Sequence, residues 1–593
     1  MTSTGPVSLG APGFAGPLGA GGVRRRPVIA ATVLAALLHG VWALYLAHDA
    51  GDLAAQYAWT DFTRQFPASA YNLSWYGGMH TASYSLVSPY LMSWLGVRTA
   101  GVLAGTLSAA LAARLLVRPE VARPLWPALW TAVALWCNVA SGRVTFAIGV
   151  AFGLAAVALL FPPGPATAVP PGPDGRRSSA RSGAVFALAA AATIGSPLVG
   201  LFLGVVAAAL LRTGRRLDAC VLVAGPLLVL VGTALLFPFE GEQPFDWYVA
   251  VPLAVSAAAL PPLLPRAWRT VRAGAPVYAL GVVLTWLVPS PVGSNVERLP
   301  LLFGGTVLLA AALQPAISRP AVETALPATG AGPDARPGAG LRGHLARLRR
   351  HRALAAGTAF LAVAGWQLVK PAGDLATTVP VSATARDTAP LIAELRRIGA
   401  DRGRVEVVPL RTHLEASGIA PYVNLARGWN RQADVSRNPL FYTGALTADE
   451  YHAWLRHWGV GYVVLPADAP DDAAVEEARI VAAGHPWLSP VWQDERWRLF
   501  RVVDTAPLVE PPGTVREAGP AVLTVDVADA GPVLLRVPWS PWLGVEGADG
   551  AHGCLAEAGE WTMLYASRPG TYRVAGRYGL TRGSRCPAQP AGP

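Results

Sequence analysis

With 593 residues, 52% of them hydrophobic and 14% charged, and a mean hydropathy of +0.37, the chain does not read as a soluble enzyme but as a polytopic membrane protein. Its formal charge of +11 is carried almost wholly by arginine, Lys370 being the only lysine. Those arginines fall in short clusters between apolar spans, so the excess marks membrane sidedness and not nucleic-acid binding.

Residues 1–27 are rich in Gly and Pro and are expected to form a disordered cytoplasmic N-terminus. Arg24-Arg25-Arg26 precedes a first apolar span near 28–47. That span lacks a small-x-small cleavage pattern and is read as an anchor, not a signal peptide. An outer loop, 48–96, follows. Further spans are expected near 97–117, 125–140, 145–161, 183–197, 198–211, 219–237, 248–265, 276–289, 299–314 and 353–369. That makes about eleven, several of them shorter than the roughly 20 residues a perpendicular helix needs. A basic, low-complexity loop at 315–352 is assigned to the cytoplasm. The transmembrane domain is thus 28–370, in the plasma membrane, with the C-terminal region outside the cell.

From 371 the long apolar runs stop. Strand-like Val405-Glu406-Val407-Val408 and Tyr462-Val463-Val464-Leu465 alternate with helical stretches, so 371–510 reads as extracytoplasmic α/β. Beyond that, 511–593 reads as short strands with Gly/Pro turns, a β-sandwich. Cys137 and Cys220 lie in spans. Cys554 and Cys586 lie in the outer β-rich part, where an oxidising compartment favours a disulfide between them. The fold class expected is therefore an α-helical polytopic membrane protein with an extracytoplasmic α/β plus β-sandwich domain.

The first outer loop holds Asp49 and Asp52 against the membrane surface, where carboxylates are costly unless paired, solvated or used. Sugar transfer from a lipid phosphate needs a carboxylate to take the acceptor's proton; Asp52 is the first candidate and Asp49 the second. The plainer reading is that both end the first helix and stay hydrated. Trp75, Tyr76, His80 and Tyr84, in the same loop, are candidates for substrate contact. Arg143 and Arg298 break the scarcity of positive charge on the outer side and would suit a donor phosphate, with Asn295 nearby. Against this stand an Arg298–Glu297 pair and ordinary snorkelling to headgroups. In the outer domain Arg427 and Trp429 belong to a polar-aromatic stretch suited either to carbohydrate or to docking on the membrane part.

The run Asp49 to Pro89, with Gly51-Asp52-Leu53-Ala54-Ala55-Gln56 and Trp75-Tyr76-Gly77-Gly78, resembles the first outer loop of multi-spanning actinobacterial membrane proteins. These are similar to the GT-C superfamily of glycosyltransferases, which use polyprenyl-phosphate sugars. Trp539-Ser540-Pro541-Trp542-Leu543-Gly544 followed by Gly570-Thr571-Tyr572 resembles β-rich outer domains of related envelope proteins. The resemblance implies a GT-C-like layout, a polyprenyl-phosphate sugar donor, an envelope glycan or lipid acceptor, inversion, and an Asp base in the first outer loop. No second acidic motif has metal-ligand spacing; a divalent cation is the one cofactor left open. A major-facilitator-like transporter and a non-enzymatic envelope scaffold with a degenerate site are the alternatives. Zinc-protease, Walker and nucleophile-elbow motifs are absent from the sequence.

Overall fold

A computed structural model of the protein describes residues 18–83, 85–162, 179–314, 339–378, 383–579 and 582–587. The expected N-terminal segment and the basic loop lie largely outside these residues, as does Tyr84.

Ala, Leu and Val runs form helices because hydrocarbon offers the backbone no other partner. In chain order these are α1 (Leu18–Val41), α2 (Asp52–Gln65), α3 (Ser88–Leu95), α4 (Val97–Leu116), α5 (Leu125–Ala140), α6 (Val144–Leu160), α7 (Ser179–Gly195), α8 (Pro197–Arg212), α9 (Arg216–Leu236), α10 (Trp247–Ala259), α11 (Arg269–Leu287), α12 (Arg298–Ala312) and α13 (Ala339–Thr378). Each expected apolar span coincides with one of these helices. Five stretches, Arg25–Leu46, Val97–Leu116, Arg216–Leu236, Arg269–Leu287 and Arg350–Thr378, are long and apolar enough to cross a membrane; several others are shorter apolar helices. Small residues let the helices close up. A Cβ on Gly105 would overlap the His39 ring, and one on Gly149 would press on Ser196 and the Ala192 carbonyl. Pro197 stands at the start of α8, where its missing N–H costs nothing, and so separates α7 from α8.

The outer domain opens with α14 (Ala383–Arg386), α15 (Ala389–Arg397), α16 (Leu414–Ile419), α17 (Arg431–Arg437), α18 (Ala448–His457) and α19 (Val475–Ala483). Two strands of the first outer loop, β1 (Tyr71–Asn72) and β2 (Met79–His80), form a small hairpin. A mixed five-stranded sheet then runs in the order β4 (Asn424–Leu425), β3 (Arg404–Val407), β5 (Val460–Pro466), β7 (Trp497–Val502), β6 (Leu488–Gln493). Two antiparallel sheets follow. One is β10 (Gly531–Pro538), β13 (Trp561–Ala566), β12 (Gly553–Ala558); the other is β11 (Leu543–Gly547), β14 (Gly570–Gly576), β9 (Val522–Val527), β8 (Gly513–Ala518). Cys554 of β12 is disulfide-bonded to Cys586, with their Cα atoms 4.8 Å apart.

The loop at 48–96 is not an open surface loop. Its backbone is stitched into both halves of the C-terminal domain: Ala70 N–H donates to Gly576 (3.0 Å), Leu73 to Pro520 (2.8 Å) and Gly77 to Leu425 (2.8 Å). Tyr71 and Leu73 pack in the sandwich core, while Trp75, Tyr76 and Met79 pack in the α/β core. Arg404, fully buried where these pieces meet, donates to Asn424 Oδ1 (3.1 Å) and to the carbonyls of Trp458, Gly77 and Arg536. Burial pulls its guanidinium down to about 9.

Candidate functional site

The surroundings of Asp52 begin with two sharp turns. Asp49 (φ 62°) and Gly51 (φ 63°, ψ −135°) take left-handed conformations that end the first span and start α2 at Asp52. Only glycine tolerates the second of these conformations. Gly51 N–H donates to the Thr412 carbonyl at 2.7 Å, so a loop of the outer domain rests on this turn. The second turn, Ser141-Gly142-Arg143, packs against the first. A Cβ on Gly142 (φ 79°) would come within 3.1 Å of the Leu53 nitrogen. Gln56, one turn into α2, locks the two together: its amide donates to the Gly142 carbonyl, and its Oε1 accepts from Thr145 N–H (2.8 Å) and Thr145 Oγ1 (3.1 Å).

This lock sets Asp52 Oδ2 3.6 Å from Arg143 Nε, and Arg143 Nη2 lies 3.5 Å from Asp374 of α13. Asp52 is half-exposed and Arg143 mostly buried. Asp52 also sits in the first turn of α2, where the helix dipole favours its charge. Arg143, Arg298 and Lys370 line one narrow crevice between α5, α12 and α13, with only about 10 Å³ of room inside, space for about one water. Asn138, Ser141 and Gln367 complete its polar wall. Lys370 Nζ lies 3.0 Å from Glu297 Oε1, and the Arg298 guanidinium lies over the Phe146 ring at 5.2 Å. The buried Ser141 Oγ has no hydrogen-bond partner among the described residues. Three cations therefore line one narrow space, and three carboxylates contact two of them: Asp52 and Asp374 at Arg143, and Glu297 at Lys370. Such a site can hold an anion bidentately and present a carboxylate beside it.

Asp49 is differently placed. Its Oδ1 takes a 2.7 Å bond from Arg98, whose Nε donates to the Tyr57 hydroxyl at 3.2 Å. Burial and the Asp49 charge push the Tyr57 phenol up to about 12. Asn295, half-buried two residues before Glu297, donates its N–H to Val292 at 2.9 Å.

Four of the expected substrate contacts are buried. Trp75 and Tyr76 are 1% and 0% exposed. The Tyr76 hydroxyl donates to the Asn430 carbonyl and accepts from the Asn430 N–H, both at 3.0 Å, and Gly428 packs on the Trp75 indole. These rings join the loop to the outer domain and leave no face for a ligand. His80 is buried among Tyr71, Phe237 and Ser540, and burial together with the nearby Arg437 charge lowers its imidazole to about 4. Arg427 is spent on Asp434 (3.0 and 3.2 Å) and Glu477 (2.8 Å), with Glu406 at 3.6 Å. Burial and the Glu477 charge hold the Glu406 carboxyl well above its ordinary value.

Trp429 stays half-exposed. It stacks on His413 at 3.4 Å with the Arg431 guanidinium 5.4 Å away, next to the loop that carries Thr412. Sequence reasoning missed Lys370, Asp374 and Glu297 as members of the site. Lys370 and Asp374 stand four apart on α13, which puts them on one helix face. Among the described residues no group of three or more His, Cys, Asp or Glu is placed to hold a metal ion.

The family described as "Domain of unknown function (DUF8823)" matches residues 510–591, the stretch that holds β8 to β14. A comparison with curated proteins finds no match. Among solved structures the chain is similar to an oligosaccharyltransferase from Archaeoglobus fulgidus, tethered to an acceptor peptide containing the NVT sequon, at 10% identity and a TM-score of 0.41, over 74% of this chain and 69% of that one. It is also similar to the arabinofuranosyltransferase AftD from Mycobacteria, at 13% identity and a TM-score of 0.39, over 93% of this chain. An R1389S variant of AftD aligns at 12% identity with a TM-score of 0.41, over 94%. The chain spans about 57–60% of the length of these two AftD structures.

Proposed function

We propose that the protein is an integral-membrane glycosyltransferase. It transfers a sugar from a polyprenyl-phosphate donor, at the outer surface of the plasma membrane, to an envelope glycan or lipid. The observation that carries this reading is the half-exposed Asp52 carboxylate beside Arg143, at a crevice that Arg298 and Lys370 also line.

In this reading Arg143 and Arg298 hold the donor phosphate, and the apolar flanks of the helices take the polyprenyl chain. Asp52 accepts the proton of an acceptor hydroxyl as its oxygen attacks the anomeric carbon. The bond from that carbon to the phosphate oxygen breaks, and lipid phosphate departs. One displacement inverts the configuration. The leaving phosphate is already a good leaving group and is steadied by the guanidinium groups, so no general acid is needed. Asp52 is preferred to Asp49 because the Asp49 carboxylate is committed to Arg98 away from the crevice. In this reading Trp429, beside the loop that rests on Gly51, would contact the acceptor; its stacking on His413 beside that loop supports this.

The test is transfer of labelled sugar in isolated membranes supplied with polyprenyl-phosphate mannose, arabinose, glucose or galactosamine. Loss of transfer with Asp52→Asn, but not with Asp49→Asn, at equal protein level supports the assignment. No transfer from any donor, with both variants still complementing a deletion strain, sinks it.

A further inference from the structure

The crevice contains a cation that the phosphate reading of Arg143 and Arg298 does not require. Lys370 is the only lysine in the chain, and its ammonium reaches the same space. It is paired with Glu297 at 3.0 Å, yet the pair is lopsided: the lysine side chain is 38% exposed and the carboxylate 11%. Pro371, the next residue, cannot donate to the Gln367 carbonyl, so the turn carrying Lys370 has one helical restraint fewer. A lysine is a compact charge on a flexible stem, able to swing between acceptors, unlike the planar and stacked Arg298. Glu297 immediately precedes Arg298 at the start of α12, so the anchor of the lysine and the second cation move with one backbone turn.

We propose that Lys370 is a third phosphate-contacting residue of this crevice, held on Glu297 until the phosphate of a polyprenyl-phosphate lipid replaces that carboxylate as its partner. This rests on the donor reading above and adds to it a displaceable ion pair. The exchange trades one anion for another at the ammonium, so the lysine is never left without a counter-charge in a low-dielectric place. Glu297 then acts as a competitor: it lowers affinity for weak or misplaced anions and yields to a phosphate that Arg143 and Arg298 already hold.

The experiment uses the full-length protein in nanodiscs, with thermal stabilisation by farnesyl phosphate read against farnesol, inorganic phosphate and phosphatidylglycerol. Wild type is expected to respond to farnesyl phosphate and not to farnesol. Lys370→Gln weakens that response about tenfold in concentration and Lys370→Arg restores most of it, while Glu297→Gln shifts it to lower concentration. Lys370→Gln behaving as wild type, with Arg143→Gln still abolishing the response, overturns the lysine assignment and leaves the crevice reading standing. A wild type indifferent to every phosphate ligand removes both. An equal response to phosphatidylglycerol overturns the assignment to a donor phosphate in favour of a general headgroup site. An equal response to inorganic phosphate overturns the assignment to a lipid ligand.

Discussion

Arg427 and Arg143 each face carboxylates, but on opposite terms. Arg427 is sealed in the C-terminal domain, its donors spent on Asp434 and Glu477 at hydrogen-bonding distance, with Tyr442 and Tyr451 donating to the same two carboxylates. Arg143 meets its two carboxylates at 3.5 and 3.6 Å, beyond good hydrogen-bond geometry, on the wall of a crevice open to water. A saturated guanidinium has nothing left to offer a ligand; a loosely held one can exchange partners. Burial and contact distance, and not residue type, separate an arginine that holds a domain together from one that can hold a substrate.

The strongest way to break this contrast is at the open site. Asp52→Asn is expected to lower transfer by about 10²–10⁴-fold while leaving protein level and thermal stability unchanged, because general-base removal costs rate and not fold. Arg427→Met should do the reverse. Leaving three buried carboxylates without their cation costs about 3–5 kcal/mol, which would be read as a lowered melting temperature or loss of folded protein. If Arg427→Met folded normally and abolished transfer, the division of roles would be reversed.

A pH prediction sharpens the packing side. His80 is neutral in the folded protein, its imidazole lowered to about 4 by burial and the Arg437 charge, against an ordinary value of 6.5. Below pH 6.5 the unfolded chain binds a proton that the folded one refuses. Stability is therefore whole above about 6.5 and declines as pH falls towards 4, by on the order of 3 kcal/mol in all. Thermal melts from pH 7.5 to 4.5 should show this slope, and His80→Gln should flatten it. The smallest effect belongs to Asp49→Asn. Its ion pair with Arg98 is about 40% exposed on both sides, so stability should change by roughly 0.2–1 kcal/mol and transfer by less than about threefold.

Arg143 and Arg298 stand out in the sequence because each is a lone positive charge in a short turn away from the arginine clusters. Lys370 was hidden by its place at the end of the last span, where a basic residue is ordinary, and Asp374 by its place just beyond. The aromatic run Trp75-Tyr76-Gly77-Gly78 is buried in the packing between the loop and the C-terminal domain. Rings beside glycines suit a sugar-binding platform and a tight packing joint equally, and only the partner decides. That partner is Asn430 for Tyr76 and Gly428 for Trp75, more than 350 residues away, a separation that no local pattern encodes. The strands of the outer domain could be read from their alternation. The insertion of a loop from the membrane domain into both cores could not, since it depends on backbone bonds to Leu425, Pro520 and Gly576.

That insertion also sets a schedule. The backbone of Ala70 cannot reach its partner Gly576 until some 500 further residues have been made. At about 5–20 residues per second the wait is roughly 25–100 s. Throughout it Tyr71, Trp75 and Tyr76 lack the partners that bury them. One of the first segments of the chain to be made is thus among the last to find its place.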